Sequence, residues 1–233
     1  MPVISDPTNL RRITLFRGMT LSQLAVLNGL MRRQVLPAGA RIVMTDQLTD
    51  TAYVIQNGIV RIVRAQSDGT ELLLEFLGPG DVIAALTVGE APDCAHSILP
   101  LDETHLLWID RHAFERCIQT MPELSANLSG VMARRLQLAN DRIEALAGLD
   151  VRARIVGHLL LLARQYGEFL DDPTPDCVRI PLRLTQGDWA RMVGASRVSV
   201  NHTMADLRRR NVLETQGNHH LLIRDMAALQ KLR

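Results

Sequence analysis

The sequence predicts an α+β chain in three parts: an N-terminal antiparallel β-roll of jelly-roll type, a long dimerisation helix, and a C-terminal winged helix-turn-helix. Three observations predict it. Apolar residues alternate with period two between glycine-marked turns from Val35 to Ile109, then recur at steps of three and four from Leu124 to Leu146. Residues 184–213, LTQGDWARMVGASRVSVNHTMADLRRRNVL, read as two short helices that meet at a glycine. The expected boundaries are 1–120, 121–148 and 149–233.

Composition bounds the class. The chain has 233 residues, 47% apolar and 22% charged, enough for two compact domains and too mixed for a disordered chain. No basic-then-apolar leader opens it, and no apolar run approaches the ~18 residues a membrane span requires. A cytoplasmic protein without a membrane partner is expected. Cys94, Cys117 and Cys177 are odd in number and widely spaced without a CxxC pair, which argues against a disulfide scaffold, a zinc site or an iron-sulfur cluster. Residues 1–149 carry a net charge of −3 and residues 150–233 one of +4, so the positive charge lies with the helix-turn-helix. Lys231 is the one lysine among 26 basic residues; the remainder are arginine, which suits planar phosphate and base recognition.

Along the chain, residues 1–33 read as helical, with Leu21, Leu24, Leu27 and Leu30 at intervals of three and Thr20 or Ser22 as a cap. The runs RIVM, AYVIQ, IVRIVRA and ELLLEFL follow, separated by turn signals at Pro37-Ala38-Gly39, Asn57-Gly58, Ser67-Asp68-Gly69 and Gly78-Pro79-Gly80-Asp81; HLLWI at His105 to Ile109 is a further strand. Strands at this spacing predict a barrel or double-sheet roll. The apolar seam of the long helix, Leu124, Leu128, Val131, Met132, Leu136, Ala139, Ile143 and Leu146, needs a cover. An identical helix from a second copy provides one, and packing on its own domain is the alternative. Residues 155–162 read as a buried helix, residues 168–181 as a proline-rich loop, and Val212-Leu213-Glu214 with His220 to Ile223 as two strands of a wing around Gln216-Gly217-Asn218.

Within residues 184–213, Thr185 and Asp188 form a capping-box variant, Trp189, Met192 and Val193 an apolar stripe, and Gly194 can take the positive φ of a tight interhelical turn. Ser196 caps the second helix, which turns Val200, Met204 and Leu207 inward. Its opposite face carries Val198, His202 and Arg209, with Arg197 and Ser199 in the first turn. An arginine there can donate two hydrogen bonds to a guanine edge, while Ser196, Ser199 and the helix amides can bind phosphate. The expected DNA-contacting set is Thr185, Gln186, Ser196, Arg197, Val198, Ser199, Asn201, His202 and Arg209.

This order of elements, with LPAGARIV, VIQNGIVRI, SDGTELLLEFLGPGD and the motif at 184–213, resembles the Crp/Fnr transcription regulators over essentially the whole chain. The resemblance implies a homodimer on double-stranded DNA, recognition helices in successive major grooves of a near-palindromic site, and a roll whose signal passes through the long helix. It also brings RNA polymerase into view as a partner. Departures from the family pattern are specific. Where members that bind cyclic nucleotide carry G-E-L-A and then R-S-A or R-T-A, a gap-free alignment puts Ala85 at the glutamate and Cys94, followed by Ala95, at the arginine. With the ribose and phosphate contacts missing, binding of cyclic AMP is not expected. The N-terminal cysteine group of iron-sulfur members is missing too. Haem would need His96 or His105, and a histidine on a β domain is far more often solvated or hydrogen-bonded. Another small molecule, or none, is left. In the recognition helix, Arg197 matches the guanine-reading arginine, whereas Val198 stands where the family has glutamate and His202 where it has a second arginine, so an altered half-site is expected.

Two other classes have less support in the sequence. No Gly-rich phosphate loop, GxSxG, HExxH or paired-carboxylate constellation is present, so the chain does not read as an enzyme. A dimeric small-molecule-binding or scaffold module that never touches DNA would share the fold, and DNA retardation separates it from a regulator.

Overall fold

The period-two pattern becomes two antiparallel sheets. The structure, a computed structural model, describes residues 7–44, 51–66, 69–83, 96–170, 177–216 and 220–232. The chain divides into two units, Met1–Leu136 and Gln137–Arg233. In the first unit the strands are β1 (Arg32–Leu36), β2 (Ile42–Met44), β3 (Thr51–Asn57), β4 (Val60–Ala65), β5 (Glu71–Leu77), β6 (Val82–Ile83), β7 (His96–Pro100) and β8 (Thr104–Asp110). One sheet runs β1-β8-β3-β6 and the other β2-β7-β4-β5.

Strands β3 and β8 explain why their sequences are nearly continuous apolar runs. Tyr53 and Ile55 of β3, with Leu106 of β8, enter a core shared with Val60, Ile62, Leu77 and Ile98. Ala52 and Val54, with Leu107 and Ile109, enter a second core against Phe16, Leu24, Leu27 and Phe114. Successive side chains point to opposite faces, so where a strand has a core on each side it is apolar at consecutive positions.

The second core is capped by helices. Pro7–Arg12 and Thr14–Phe16 are short 3-10 stretches, followed by α1 (Leu21–Leu30), α2 (Arg111–Thr120) and α3 (Pro122–Gly148). The reading of residues 1–33 as helical holds only in part: Arg32 already pairs with Trp108 as the first rung of β1, and ladder hydrogen bonds prevail over the helical period there. Thr20 caps α1: the Gln23 N–H donates to its hydroxyl at 3.3 Å, and its own N–H donates to the Gln23 side chain at 2.8 Å. Leu24 and Leu27 are buried, whereas Leu21 and Leu30 are exposed.

The second unit holds the end of α3, then α4 (Val151–Tyr166), β9 (Glu168–Phe169), β10 (Val178–Ile180), α5 (Gln186–Val193), α6 (Arg197–Arg209), β11 (Leu213–Gln216), β12 (His220–Ile223) and α7 (Met226–Gln230). Residues 168–181 are not simply a loop. Val178 to Ile180 pair with Ile223 to Leu221 on one side, and Val178 and Arg179 pair with Phe169 and Glu168 on the other, giving a sheet in the order β11-β12-β10-β9. A three-residue strand is too short to display an alternation. The wing strands pair from Leu213 with Ile223 to Gln216 with His220; Gly217 and Asn218 lie outside the described residues. Cys117 and Cys177 are buried free thiols, and Cys94 lies outside the described residues. Among the described residues, no helix is long and apolar enough to cross a membrane and no group of side chains could hold a metal ion.

Gly58 makes the β3–β4 connection possible. Its φ is +89°, and a Cβ there would lie 2.6 Å from the Thr104 hydroxyl, 2.8 Å from the Thr104 Cα and 2.9 Å from the Glu103 carbonyl oxygen. Two of these are backbone atoms at the start of β8, so the clash cannot be relieved by a side-chain rotation alone. Gly58→Ala is expected to destabilise the roll by more than ~1 kcal/mol, read as a lower urea midpoint. An unchanged midpoint would contradict this account.

Candidate nucleic-acid interface

The interface is assembled from local hydrogen bonds outward. Thr185 caps α5: its hydroxyl accepts the Asp188 N–H at 3.1 Å, and the Asp188 carboxylate accepts the Thr185 N–H at 2.9 Å and the Thr185 hydroxyl at 2.7 Å. Arg191 donates to the other carboxylate oxygen at 3.0 Å. Asp188 is 3% exposed, and this full set of partners is what makes its burial tolerable. The helix ends at Gly194, whose φ of 60° and ψ of 49° reverse the chain in two residues. Ser196 then caps α6 by accepting the Ser199 N–H at 3.1 Å, and the two hydroxyls lie 2.9 Å apart.

Helix α6 buries Val200, Thr203, Met204 and Leu207. Val198, Asn201, His202, Arg208 and Arg209 are exposed on its other side, Val198 at 77%. Arg197 is exposed and makes no hydrogen bond or ion pair among the described residues; a Cβ built on Gly187 would sit 3.4 Å from its terminal nitrogen, so its guanidinium lies along the first turn of α5. Thr185 and Gln186 are exposed at that same turn. The predicted residues thus converge, except that Arg209 is partly turned aside. It lies 3.4 Å from Asp206, which also accepts from Arg210 at 2.8 Å and faces Arg152 at 3.9 Å. Desolvation pushes the Asp206 carboxyl upward, but the Arg210 hydrogen bond and the charges of Arg210, Arg152 and Arg209 together hold it below its ordinary value.

Where α5, α6 and the wing meet, a cavity of about 380 Å³ is bordered by Thr185, Gln186, Arg191, Arg197, Arg208 and Thr215. Three guanidiniums and the amide end of a helix are a setting for phosphate oxygens. Sequence reasoning missed Arg191 and Thr215. The spacing of Arg191, three residues after Asp188, was a signal for an intrahelical pair, but nothing local places Thr215 beside α5.

In the first unit, Ala85, Cys94 and Ala95 lie outside the described residues. The strand entering that segment is described and is tied to α3. Asp81, 4% exposed, accepts the Gly78 N–H at 2.9 Å and pairs with Arg134. Arg135 donates from Nη1 to the Val82 carbonyl at 3.1 Å and from Nε to Glu75 at 3.1 Å, with a second bond to the same carboxylate. This coupling was not read from the sequence, because β5 and α3 lie far apart along the chain. His105 has both ring nitrogens engaged, one 3.0 Å from Glu103 and the other by Arg33.

Comparisons with known proteins agree with this geometry. Residues 33–121 match the cyclic nucleotide-binding domain, and residues 153–232 match the Crp-like helix-turn-helix domain. The CRP-like cAMP-activated global transcriptional regulator of Mycobacterium tuberculosis is 32% identical over 213 residues, covering 91% of this chain and 93% of that one. The chain belongs to the Crp/Fnr family of transcription regulators. The family accounts for a DNA-binding regulator rather than an enzyme. Another of its members, the cAMP-activated global transcriptional regulator CRP of Salmonella typhimurium, is 28% identical over 78% of this chain and 84% of its own. Among solved structures, FixK2 from Bradyrhizobium japonicum has a TM-score of 0.71 at 19% identity, over 87% of this chain and 96% of that one. A CooA mutant from Carboxydothermus hydrogenoformans also scores 0.71, at 21% identity over 99% and 97%. These two likenesses concern the fold alone.

Proposed function

We propose that this regulator acts as a homodimer on a near-palindromic DNA site, that Arg197 reads a guanine in each half-site, and that its roll does not take cyclic AMP in the family's usual way. The observation that carries the DNA reading is the outer face of α6, where an uncommitted Arg197 precedes a Val198 that is 77% exposed. A large apolar side chain held in water is a loss unless something covers it, and the methyl of thymine is the apolar group a major groove offers. Thr185, Gln186, Ser196, Ser199, Asn201, His202 and Arg209 complete the contact set, the hydroxyls and amides serving phosphate. Seated at a promoter, such a dimer would also meet RNA polymerase.

Dimerisation is supported by the second half of α3. Leu124 and Val131 are buried within their own unit, but Leu136, Ile143 and Leu146 are 64%, 65% and 50% exposed. Their spacing of seven and then three is that of a coiled-coil seam. The ligand reading rests on Ala85 and Cys94 standing where the family's ribose and phosphate contacts stand. The engaged ring of His105 gives no support to haem. The Arg135–Glu75–Val82 coupling offers a route by which a change in the roll, from another small molecule or from none, is felt by α3.

Selection from a random DNA library should return half-sites that keep the guanine and differ beside it; recovery of the common TGTGA half-site would refute the role of Val198. Arg197→Ala should lose about 1–3 kcal/mol of discrimination at one base pair, while Ser199→Ala weakens all sites evenly. Ile143→Glu should sediment as a monomer and lose DNA retardation; a dimeric variant would move the interface elsewhere. Calorimetric titration with cyclic AMP should give no saturable heat, and one-to-one binding at about micromolar Kd would overturn the ligand reading.

A further inference from the structure

A second, smaller cavity within the second unit has a chemistry that DNA recognition does not use. The last turns of α3 and the length of α4 enclose a crease of about 90 Å³ whose lining includes Asp141, Arg142, Arg154, Gly157, His158 and Arg164. Arginine side chains predominate in that lining, and its one carboxylate, Asp141, accepts from Gln137 at 2.8 Å. His158 is 6% exposed. Its Nδ1 lies 2.9 Å from the Arg154 carbonyl oxygen, an acceptor only, so Nδ1 donates and the neutral ring leaves a lone pair on Nε2. Among the described residues neither that Nε2 nor the Arg154 Nε has a hydrogen-bonding partner, although both are buried. Burial depresses the imidazole pKa; the Arg154 carbonyl acts against this, and the charges of Arg142 and Arg154 add to it, so both guanidiniums are within electrostatic reach of the ring.

Gly157 is the independent observation. Glycine is the least favourable residue other than proline inside a helix, yet it stands mid-way along α4, and a Cβ built there meets nothing within 4 Å among the described residues. None of them demands its bare backbone. What a side chain would occupy is the crease itself.

We propose that this crease binds a tetrahedral oxyanion, as free phosphate or as the phosphoryl group of a small metabolite, between the guanidiniums of Arg142 and Arg154 and the ring of His158. The oxyanion accepts charge-assisted hydrogen bonds from the arginines, and a monohydrogen phosphate brings the O–H donor that Nε2 lacks. The volume suits this class, since pockets for whole nucleotides or drug-sized ligands begin near ~300 Å³. Held there, the anion braces the last turns of α3 against α4 across the break at Leu149 and Asp150, the point from which the DNA-reading helices are hung.

The test uses the full chain without DNA, titrated at constant ionic strength with sodium phosphate, with glycerol 3-phosphate and, as control, with sodium chloride. Calorimetry should find one phosphate per chain at a Kd of about 1 mM or tighter, and the imidazole resonances of His158 should shift with phosphate and not with chloride. Glycerol 3-phosphate binding as tightly as phosphate assigns a phosphoryl group, and much weaker binding assigns the free ion. Arg154→Gln should weaken binding at least tenfold. Gly157→Met, which fills the crease with a helix-favouring side chain, should do the same while melting no lower than the parent. Equal responses to phosphate and chloride, or full binding by a folded Gly157→Met chain, would overturn the proposal.

Discussion

A carboxylate taken out of water costs several kcal/mol unless its lone pairs are met by donors, and that cost sets the geometry at two places in this chain. Asp188 is satisfied only if Thr185 begins α5 and Arg191 lies one turn on. The start of α5 is therefore fixed, and with it the turn at Gly194 and the direction in which α6 leaves. Asp81 is satisfied only if the Gly78 turn closes and Arg134 arrives from α3. In both places a short acidic side chain joins a turn to a helix. A side chain of the same shape without the charge keeps one accepting oxygen and loses the other, so the arginine and the turn amides can no longer both be met as they are.

The interface sharpens the division between arginines that build and arginines that remain to be used. Arg191, Arg210 and Arg224 are held by Asp188, Asp206 and Glu214, and Arg209 is drawn toward Asp206. Arg197 and Arg208 make no ion pair among the described residues and border the same cavity. Reaching a base or phosphate from these two positions breaks no ion pair among the described residues, so the attraction they supply is not spent on replacing one.

Much of this was legible because it is local. The Thr185–Asp188 cap, the left-handed Gly194, the Ser196 cap and the inward set Val200, Met204 and Leu207 all lie within one or two helical turns, where side-chain spacing and backbone geometry are directly linked. The continuous apolar runs of β3 and β8 were legible as strands, but that each separates two cores was not, because the second layer comes from residues 10–27 and 113–124. The long helix read as one seam. In fact Leu124 and Val131 are buried, whereas Leu136, Ile143 and Leu146 are half or more exposed. Contacts such as Arg135 with Glu75, and the meeting of Thr215 and Arg191 at one cavity, join residues with no shared local pattern, and β9 and β10 are too short to carry one.

The nearly exclusive use of guanidinium has a consequence for how such a regulator can be controlled. Cells commonly silence cationic DNA-binding surfaces by acylating lysine, which removes the charge outright. Here the only lysine, Lys231, closes α7, and every basic side chain bordering the α5–α6 cavity is arginine. Acyl transfer to side-chain amines therefore has almost nothing to act on at the proposed DNA face. The charge of its arginines is permanent across physiological pH, which leaves association, shape and competing anions as means of control.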